Sequence, residues 1–186
     1  MPEHDFKKIY EEFGEAIDLS PGTSETLHRK YLRRLNHGAM STKEFLSIVK
    51  KYSRSGMDLK KLWVDIALRH LTLNKGTLKI VDRLGRRQSV VILSNANELR
   101  EIVDRKLGLY DHFDGVLLSN VLKMRKPNKN IFRYALRSVK AMPDEAILVD
   151  DKERNLKAAK TLGMHAILYK NDRQLIKELR AQGAVL

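Results

Sequence analysis

Two hydrophobic patterns divide the chain near residue 74. Before it, apolar residues recur three to four positions apart, as along one face of an α-helix, and no run is typical of a strand. After it, short unbroken apolar runs alternate with helical spacing, which is typical of buried parallel strands with helices between them. We therefore predict an all-helical module over residues 1–74 and an α/β core over residues 75–186.

Local signals in the helical part predict where its helices begin. Ser41 and Glu44 have the spacing of a capping box, and Asp58 precedes another amphipathic stretch as an N-cap. Trp63 lies on the apolar face of that stretch, so we predict a place in the helical core for it.

The apolar runs of the second part predict four strands. They are Val90–Leu93, Val116–Leu118, Ile147–Val149 and Ala166–Tyr169. Because a helical pattern follows each run, we expect parallel strands joined by right-handed crossovers. Such sheets bind ligands beyond the carboxyl ends of their strands, so the polar residues that follow the runs are the candidates for a functional site.

Three of these runs lead into polar residues of complementary chemistry. Ser94 and Asn95 follow the first run, and Lys126 stands before a proline after the second. Asp150 and Asp151 follow the third; adjacent carboxylates repel each other unless a cation is near, and Mg²⁺ prefers oxygen ligands. The set predicts a phosphate beside a metal ion at one sheet edge. Each residue alone is also compatible with ordinary helix capping or a solvated surface.

Composition narrows the possible partners. The hydrophobic content of 42% and the charged content of 32% are typical of a soluble globular protein, and no apolar run has membrane-spanning length. With no cysteine, disulfides and thiolate chemistry are excluded, which fits a cytoplasmic protein. The net charge of +13 favours phosphate-bearing ligands. Nucleic acid is an alternative that rests on this charge alone, since no nucleic-acid-binding motif is present and aromatic residues are only 6%.

The polar residues and their neighbours resemble the motifs of haloacid-dehalogenase (HAD) superfamily hydrolases. Leu93-Ser94-Asn95 is similar to the second motif of that family, and Met124-Arg125-Lys126-Pro127 to the third. Val149-Asp150-Asp151, with Asn155, is similar to the fourth. The resemblance implies a Rossmann-like parallel sheet with a helical cap, here at the N-terminal side.

Two further stretches resemble one branch of that superfamily. Residues 155–164 resemble the branch that contains glucose-1-phosphate phosphatases and the N-terminal phosphatase domain of soluble epoxide hydrolases. Residues 38–45 resemble a segment of the helical cap of the same branch. The activity that this implies is Mg²⁺-dependent hydrolysis of small phosphate esters.

The resemblance also implies roles for the site residues. Ser94, supported by Asn95, would bind the transferring phosphoryl group, and Lys126 would be the catalytic cation that neutralises it. Asp151 would bind Mg²⁺ directly. Asp150 would complete the metal site beside it, and Asn155 would orient the loop or a metal-bound water.

The first motif of the family, an apolar strand ending in a nucleophilic aspartate, has no counterpart here. Asp5 follows no apolar run, and Asp18 ends a helical pattern. Without that central strand, the strands ending in Ser94 and Asp151 would expose their inner edges. We expect that the sequence is part of a longer protein, that a partner's strand fills the gap, or that the sheet closes over it.

The missing motif also decides the functional expectation. In intact form we expect a phosphatase; as given, we expect weak Mg²⁺ and phosphate binding without turnover. The alternative is a non-catalytic phosphate- or partner-binding protein of the same fold. Neither the substrate nor the oligomeric state follows from the sequence.

Overall fold

A computed structural model describes residues 3–36, 38–53 and 55–186. The first part of the chain is helical, as predicted. Its elements are α1 (Glu3–Ala16), α2 (Pro21–Thr26), a π-helical turn (Leu27–Leu32), α3 (Arg33–Asn36), α4 (Thr42–Tyr52) and α5 (Leu59–His70).

Strands and helices alternate in the second part. The elements up to the second strand are α6 (Lys75–Gly85), β1 (Val91–Ser94), α7 (Glu98–Lys106), a 3₁₀ turn (Leu109–His112) and β2 (Gly115–Leu118). They are followed by α8 (Ser119–Leu122), α9 (Lys129–Ser138), a 3₁₀ turn (Pro143–Glu145), β3 (Ile147–Asp150), α10 (Glu153–Lys160), β4 (His165–Leu168) and α11 (Asp172–Ala181).

The chain forms two compact units. The helical unit contains residues 1–73 together with residues 96–109, and the α/β unit contains residues 74–95 and 110–186. Helix α7 therefore belongs to the helical unit, where its Leu99 and Val103 are fully buried in the same cluster as residues of α1 and α5. The hydrophobic pattern could not assign it there, because α7 lies between two strands in the sequence.

The helical unit is built as its local signals predict. Ser41 Oγ accepts a hydrogen bond from Glu44 N (3.1 Å) and Glu44 Oε2 accepts one from Ser41 N (2.8 Å), which confirms the capping box. Asp58 caps α5 by accepting from Lys60 N and Lys61 N. Trp63 is 1% exposed in the core.

The four strands are parallel but form two separate pairs. β1 pairs with β2, with Val91 opposite Gly115, and β3 pairs with β4, with Ile147 opposite His165. Within the part of the chain that the structure describes, no strand pairing joins β1 to β3. The parallel α/β fold is confirmed, and the expectation that the sheet closes over the gap is wrong.

One hydrophobic cluster nevertheless contacts both β1 and β3, which are called the inner strands below. Ile131 and Phe132 of α9 are fully buried in it, together with Leu148 of β3, and Leu93 of β1 packs against it. β1 and β3 therefore face the same helices. None of the helices among the described residues is long and apolar enough to cross a membrane.

Candidate functional site

The predicted polar residues meet at the carboxyl ends of the two inner strands. Ser94 is the last residue of β1, and Asp150 is the last residue of β3. Lys126 reaches both ends: it bonds Asn95, the residue after β1, and also Asp150. The sequence predicted that these residues lie together, because parallel strands present their carboxyl ends at one edge of a sheet.

Asn95 fixes the backbone of Lys126. Lys126 N donates to Asn95 Oδ1 (2.8 Å), and Asn95 Nδ2 donates to Lys126 O (2.9 Å). The following peptide bond, Lys126–Pro127, is cis. Both polar atoms of the Asn95 side chain are thus engaged with a residue 31 positions away, so Asn95 supports the site by positioning Lys126.

Lys126 and Asp150 form a buried ion pair. Lys126 Nζ lies 2.6 Å from Asp150 Oδ2, and the two side chains are 12% and 3% exposed. Asp150 Oδ1 accepts two further hydrogen bonds, from Lys152 N (2.9 Å) and from Asn155 Nδ2 (2.8 Å). Both oxygens of Asp150 are therefore occupied by protein donors.

These contacts keep Asp150 ionised. Burial acts to raise the pKa of Asp150, but the charge of Lys126, the hydrogen bonds from Lys126 and Asn155, and the Lys152 N–H together hold that pKa below its ordinary value. A carboxylate held in this way orients the ammonium of Lys126 at the strand ends.

Three acceptor or donor groups beside this network remain available. Asp151 is exposed, and no described residue forms a hydrogen bond or ion pair with its carboxylate. Ser94 is half-buried at the end of β1, and its hydroxyl likewise has no partner among the described residues. Asn155 Oδ1 is buried without a hydrogen-bond partner in the described part of the chain.

The donor set fits Mg²⁺ held by few protein ligands. Mg²⁺ prefers oxygen donors, keeps several waters and binds through one or two carboxylates plus substrate phosphate. Asp151 offers one free carboxylate, whereas both oxygens of Asp150 are already engaged. Across the described residues, no group of three or more His, Asp or Glu side chains forms a complete metal cage.

Two arginines near the site were not singled out by sequence reasoning. Burial, and then the charge of Arg154, lower the pKa of Arg125, which immediately precedes Lys126. Arg154 lies in the first turn of α10, three positions after Asp151. Arg125 could have been predicted as a site residue from its position directly before Lys126. Arg154 could not, because only the fold brings its charge close to Arg125. Together these cations add to the attraction of this edge for an anion.

Two further acids, Asp5 and Asp18, come from the first part of the chain. Asp5 lies within α1, and Asp18 follows α1 with a left-handed backbone (φ 58°). Both belong to the helical unit, and neither follows a strand. That neither acid serves as the nucleophile stays a prediction.

The fold and this site define the class of protein: a parallel α/β protein with a cationic, carboxylate-bearing site at its strand ends. The haloacid dehalogenase-like hydrolase family matches residues 3–163, so the chain belongs to that family. The resemblance predicted from the three motifs is thereby confirmed.

Individual relatives agree with this assignment. Haloacid dehalogenase-like hydrolase domain-containing protein 3 of Xenopus laevis is 30% identical over 176 residues, covering 82% of this chain and 71% of that protein. Bifunctional epoxide hydrolase 2 of Rattus norvegicus is 37% identical over 71 residues, covering 38% of this chain and 13% of that protein. The match thus spans about an eighth of the rat protein.

Solved structures share the fold. A HAD family enzyme from Bacteroides thetaiotaomicron, solved in complex with magnesium and inorganic phosphate, superposes with a TM-score of 0.72 at 21% identity. The superposition covers 88% of this chain and 85% of that one.

Proposed function

We propose that this protein binds a phosphate group beside Mg²⁺ at the strand ends and, in a form that includes a nucleophilic carboxylate, hydrolyses small phosphate esters. The observation that carries the proposal is the position of the Lys126 ammonium, which is held between the ends of β1 and β3. The free carboxylate of Asp151 belongs to the residue directly after Asp150, the partner of Lys126. Family membership supports hydrolysis, and the relative solved with magnesium and phosphate supports this pair of ligands.

Each residue has a distinct part in this proposal. Lys126 uses one of its three N–H donors on Asp150, so the others are free to bind phosphate oxygens. The Ser94 hydroxyl donates to the same group. Asp151 holds Mg²⁺, which supplies charge neutralisation on the phosphoryl oxygens when bound. Asn95 and Asp150 position the lysine, and Asn155 positions Asp150.

Residues 1–186 alone are expected to bind without turnover. Transfer through an acyl-phosphate needs a carboxylate nucleophile aimed at the phosphorus. Within the described residues, the acid that contacts Lys126 is Asp150, and both of its oxygens are hydrogen-bonded. The same observation favours a second candidate function, a non-catalytic protein that uses the pocket to hold a phosphorylated partner.

Binding of the two ligands separates the parts of the proposal. We would titrate inorganic phosphate and Mg²⁺ calorimetrically into the wild-type protein and into the Ser94→Ala and Asp151→Asn variants. Asp144→Asn is a matched control, because Asp144 is an exposed acid at the opposite end of β3. We expect Asp151→Asn to remove Mg²⁺ binding, Ser94→Ala to weaken phosphate binding, and Asp144→Asn to change neither.

Turnover is measured with p-nitrophenyl phosphate and Mg²⁺. No release above background is expected from residues 1–186. Mg²⁺-dependent release of p-nitrophenol that Asp151→Asn abolishes would contradict the expected inactivity. That result would support the phosphatase and rule out the non-catalytic binding protein. Mg²⁺ binding that is indifferent to Asp151→Asn would overturn the site itself.

A further inference from the structure

A cavity lies between the first two helices of the helical unit. It has a volume of about 360 Å³, and the residues that line it come from α1, from α2 and from the turn between them. This volume is within the range that small-molecule sites occupy in proteins, about 300–1,000 Å³. The lining belongs to the helical unit, whereas the residues of the proposed phosphate site belong to the α/β unit.

The spacing of the lining residues shows that one face of each helix borders the cavity. Lys7, Glu11 and Gly14 lie on one face of α1, and Pro21 and Ser24 lie on one face of α2. The two faces come very close at Gly14, because a Cβ atom at that position would lie 2.7 Å from Ser24 Oγ. The cavity therefore lies beside a contact that only glycine permits without displacing its neighbour.

Part of the cavity wall is apolar and continuous with the core of the helical unit. Tyr10 and Leu19 line the cavity, and both also pack against the buried cluster that contains Trp63. The ring centroids of Tyr10 and Trp63 are 6.3 Å apart, with an angle of 46° between the ring planes, which is an ordinary packed aromatic pair. An apolar ligand group would thus lie against side chains that the core already holds in place.

The charged groups of the lining are mainly acidic, although the whole protein carries a net charge of +13. Glu11, Glu15 and Glu25 line the cavity, and Lys7 is the single cation among the described residues of the lining. Lys7 pairs with Glu11 at 3.5 Å, and both side chains are exposed. The carboxylates of Glu15 and Glu25 form no hydrogen bond or ion pair with the residues that the structure describes. Two free carboxylates beside an apolar wall favour a ligand that carries a positive charge.

We propose that this cavity binds a small organic cation that has an apolar body and a primary ammonium group. The ammonium group is held by the carboxylates of Glu15 and Glu25, and the apolar body lies against Tyr10 and Leu19. This ligand differs from the substrate of the proposed function, because the glutamates repel a phosphate ester. The proposal therefore does not depend on whether the protein hydrolyses or binds phosphate esters.

The first measurement uses phenylpropylamine as the cation and Trp63 as the reporter. Trp63 is the one tryptophan of the chain and packs against Tyr10, so its fluorescence is expected to respond when the cavity is occupied. The whole chain is titrated, without Mg²⁺ or phosphate, with the amine, with neutral phenylpropanol and with anionic phenylpropionate. We expect saturable binding of the amine with a dissociation constant of about 1 mM, as is typical of ligands with so few atoms. The alcohol is expected to bind roughly fivefold more weakly, as for the loss of a partly exposed ion pair, and the anion is expected not to bind.

Methyl resonances then test the location of the amine on the wild-type protein. Leu19 lines the cavity, whereas Leu156 belongs to the hydrophobic cluster of the α/β unit. We expect the methyl resonances of Leu19 to shift with the same dissociation constant as the Trp63 signal, and those of Leu156 to stay unchanged. Shifts at Leu156 without shifts at Leu19 would refute the proposed location. The measurement needs no variant, so it does not depend on whether a substituted protein folds.

Two double variants separate the carboxylates of the cavity from the charge of the whole protein. Glu15→Gln with Glu25→Gln removes two negative charges from the cavity, whereas Asp144→Asn with Glu153→Gln removes two from the α/β unit. All four acids are exposed, so neither double variant disturbs a core. We expect the first double variant to bind the amine roughly fivefold more weakly, and the second to bind it as the wild type does.

Three results would overturn the inference. The first is the absence of a saturable response to the amine up to its solubility limit. The second is equal affinity of the wild type for the amine and for the alcohol, since the glutamates would then play no part in binding. The third is equal weakening in the two double variants, since the net charge of the protein, and not the carboxylates of the cavity, would then attract the amine.

Discussion

Apolar residues are buried to different extents in the helical unit and in the inner strands, β1 and β3, of the α/β unit. In the helical unit, Ile9, Ile17 and Ile66 are completely buried. In β1, where three of the four residues are apolar, all four residues are only half-buried. Both regions are rich in isoleucine, leucine and valine, so composition does not explain the difference.

The difference reflects how each element satisfies its backbone. A helix completes its hydrogen bonds internally and needs only one packed face, whereas a strand needs a neighbour on each edge. Among the described residues, β1 and β3 each pair with one other strand. Their ends are instead held together by polar side chains, namely Asn95, Lys126 and Asp150.

The largest effect is expected when isoleucine is replaced by alanine, and the same substitution can be made in both regions. We expect Ile66→Ala in α5 to lower the free energy of unfolding by about 4 kcal/mol, because it leaves a cavity in a closed core. Ile92→Ala in β1 is expected to cost about 1 kcal/mol, since the side chain is already partly in contact with solvent. Urea unfolding followed by circular dichroism measures both. Equal losses would mean that β1 is as well covered as the helical core.

Local patterns predicted most of the fold. The strand predicted at Val90–Leu93 is found at Val91–Ser94, and the one predicted at Ile147–Val149 is found at Ile147–Asp150. Ser94, Lys126 and Asp150 were predicted at one edge because that follows from strand order. Such predictions depend on residues that are close in sequence or on a topological rule.

Contacts between distant residues could not be predicted. The Asn95 side chain was expected to help bind phosphate, but it holds the backbone of Lys126, 31 positions away. Lys126 pairs with Asp150, 24 positions away, which leaves Asp151 as the free carboxylate. Two adjacent aspartates look alike in sequence, and only their burial separates their roles: Asp150 is 7% exposed, whereas Asp151 is exposed.

Removing the ion pair between Lys126 and Asp150 is expected to have the next largest effect on the free energy of unfolding. Lys126→Met leaves the carboxylate of Asp150 buried without its cation, and we expect a loss of about 3 kcal/mol in unfolding free energy. Adding Asp150→Asn should recover part of the loss, because the uncompensated charge is gone. Lys157→Met is the control: that lysine is 80% exposed, and its ion pair at 4.0 Å is expected to contribute little. A similar loss in both single variants would show that the buried pair does not hold the strand ends.

The smallest expected effect is the acid dependence of the same pair. The pKa of Asp150 is lower in the folded protein than in the unfolded chain: burial opposes ionisation, but Lys126, Asn155 and the Lys152 N–H outweigh it. Its contribution to stability is therefore complete above the unfolded pKa of about 3.9, and is lost as the pH falls through the folded pKa. Other carboxylates titrate in the same range, so the informative quantity is the difference between the wild type and Asp150→Asn. Below about pH 4, the wild type should lose stability more steeply, by at most about 1.4 kcal/mol per pH unit, the value for one proton. Urea unfolding curves at successive pH values measure both slopes, and parallel slopes would mean that the ammonium of Lys126 does not stabilise the ionised carboxylate at the strand ends.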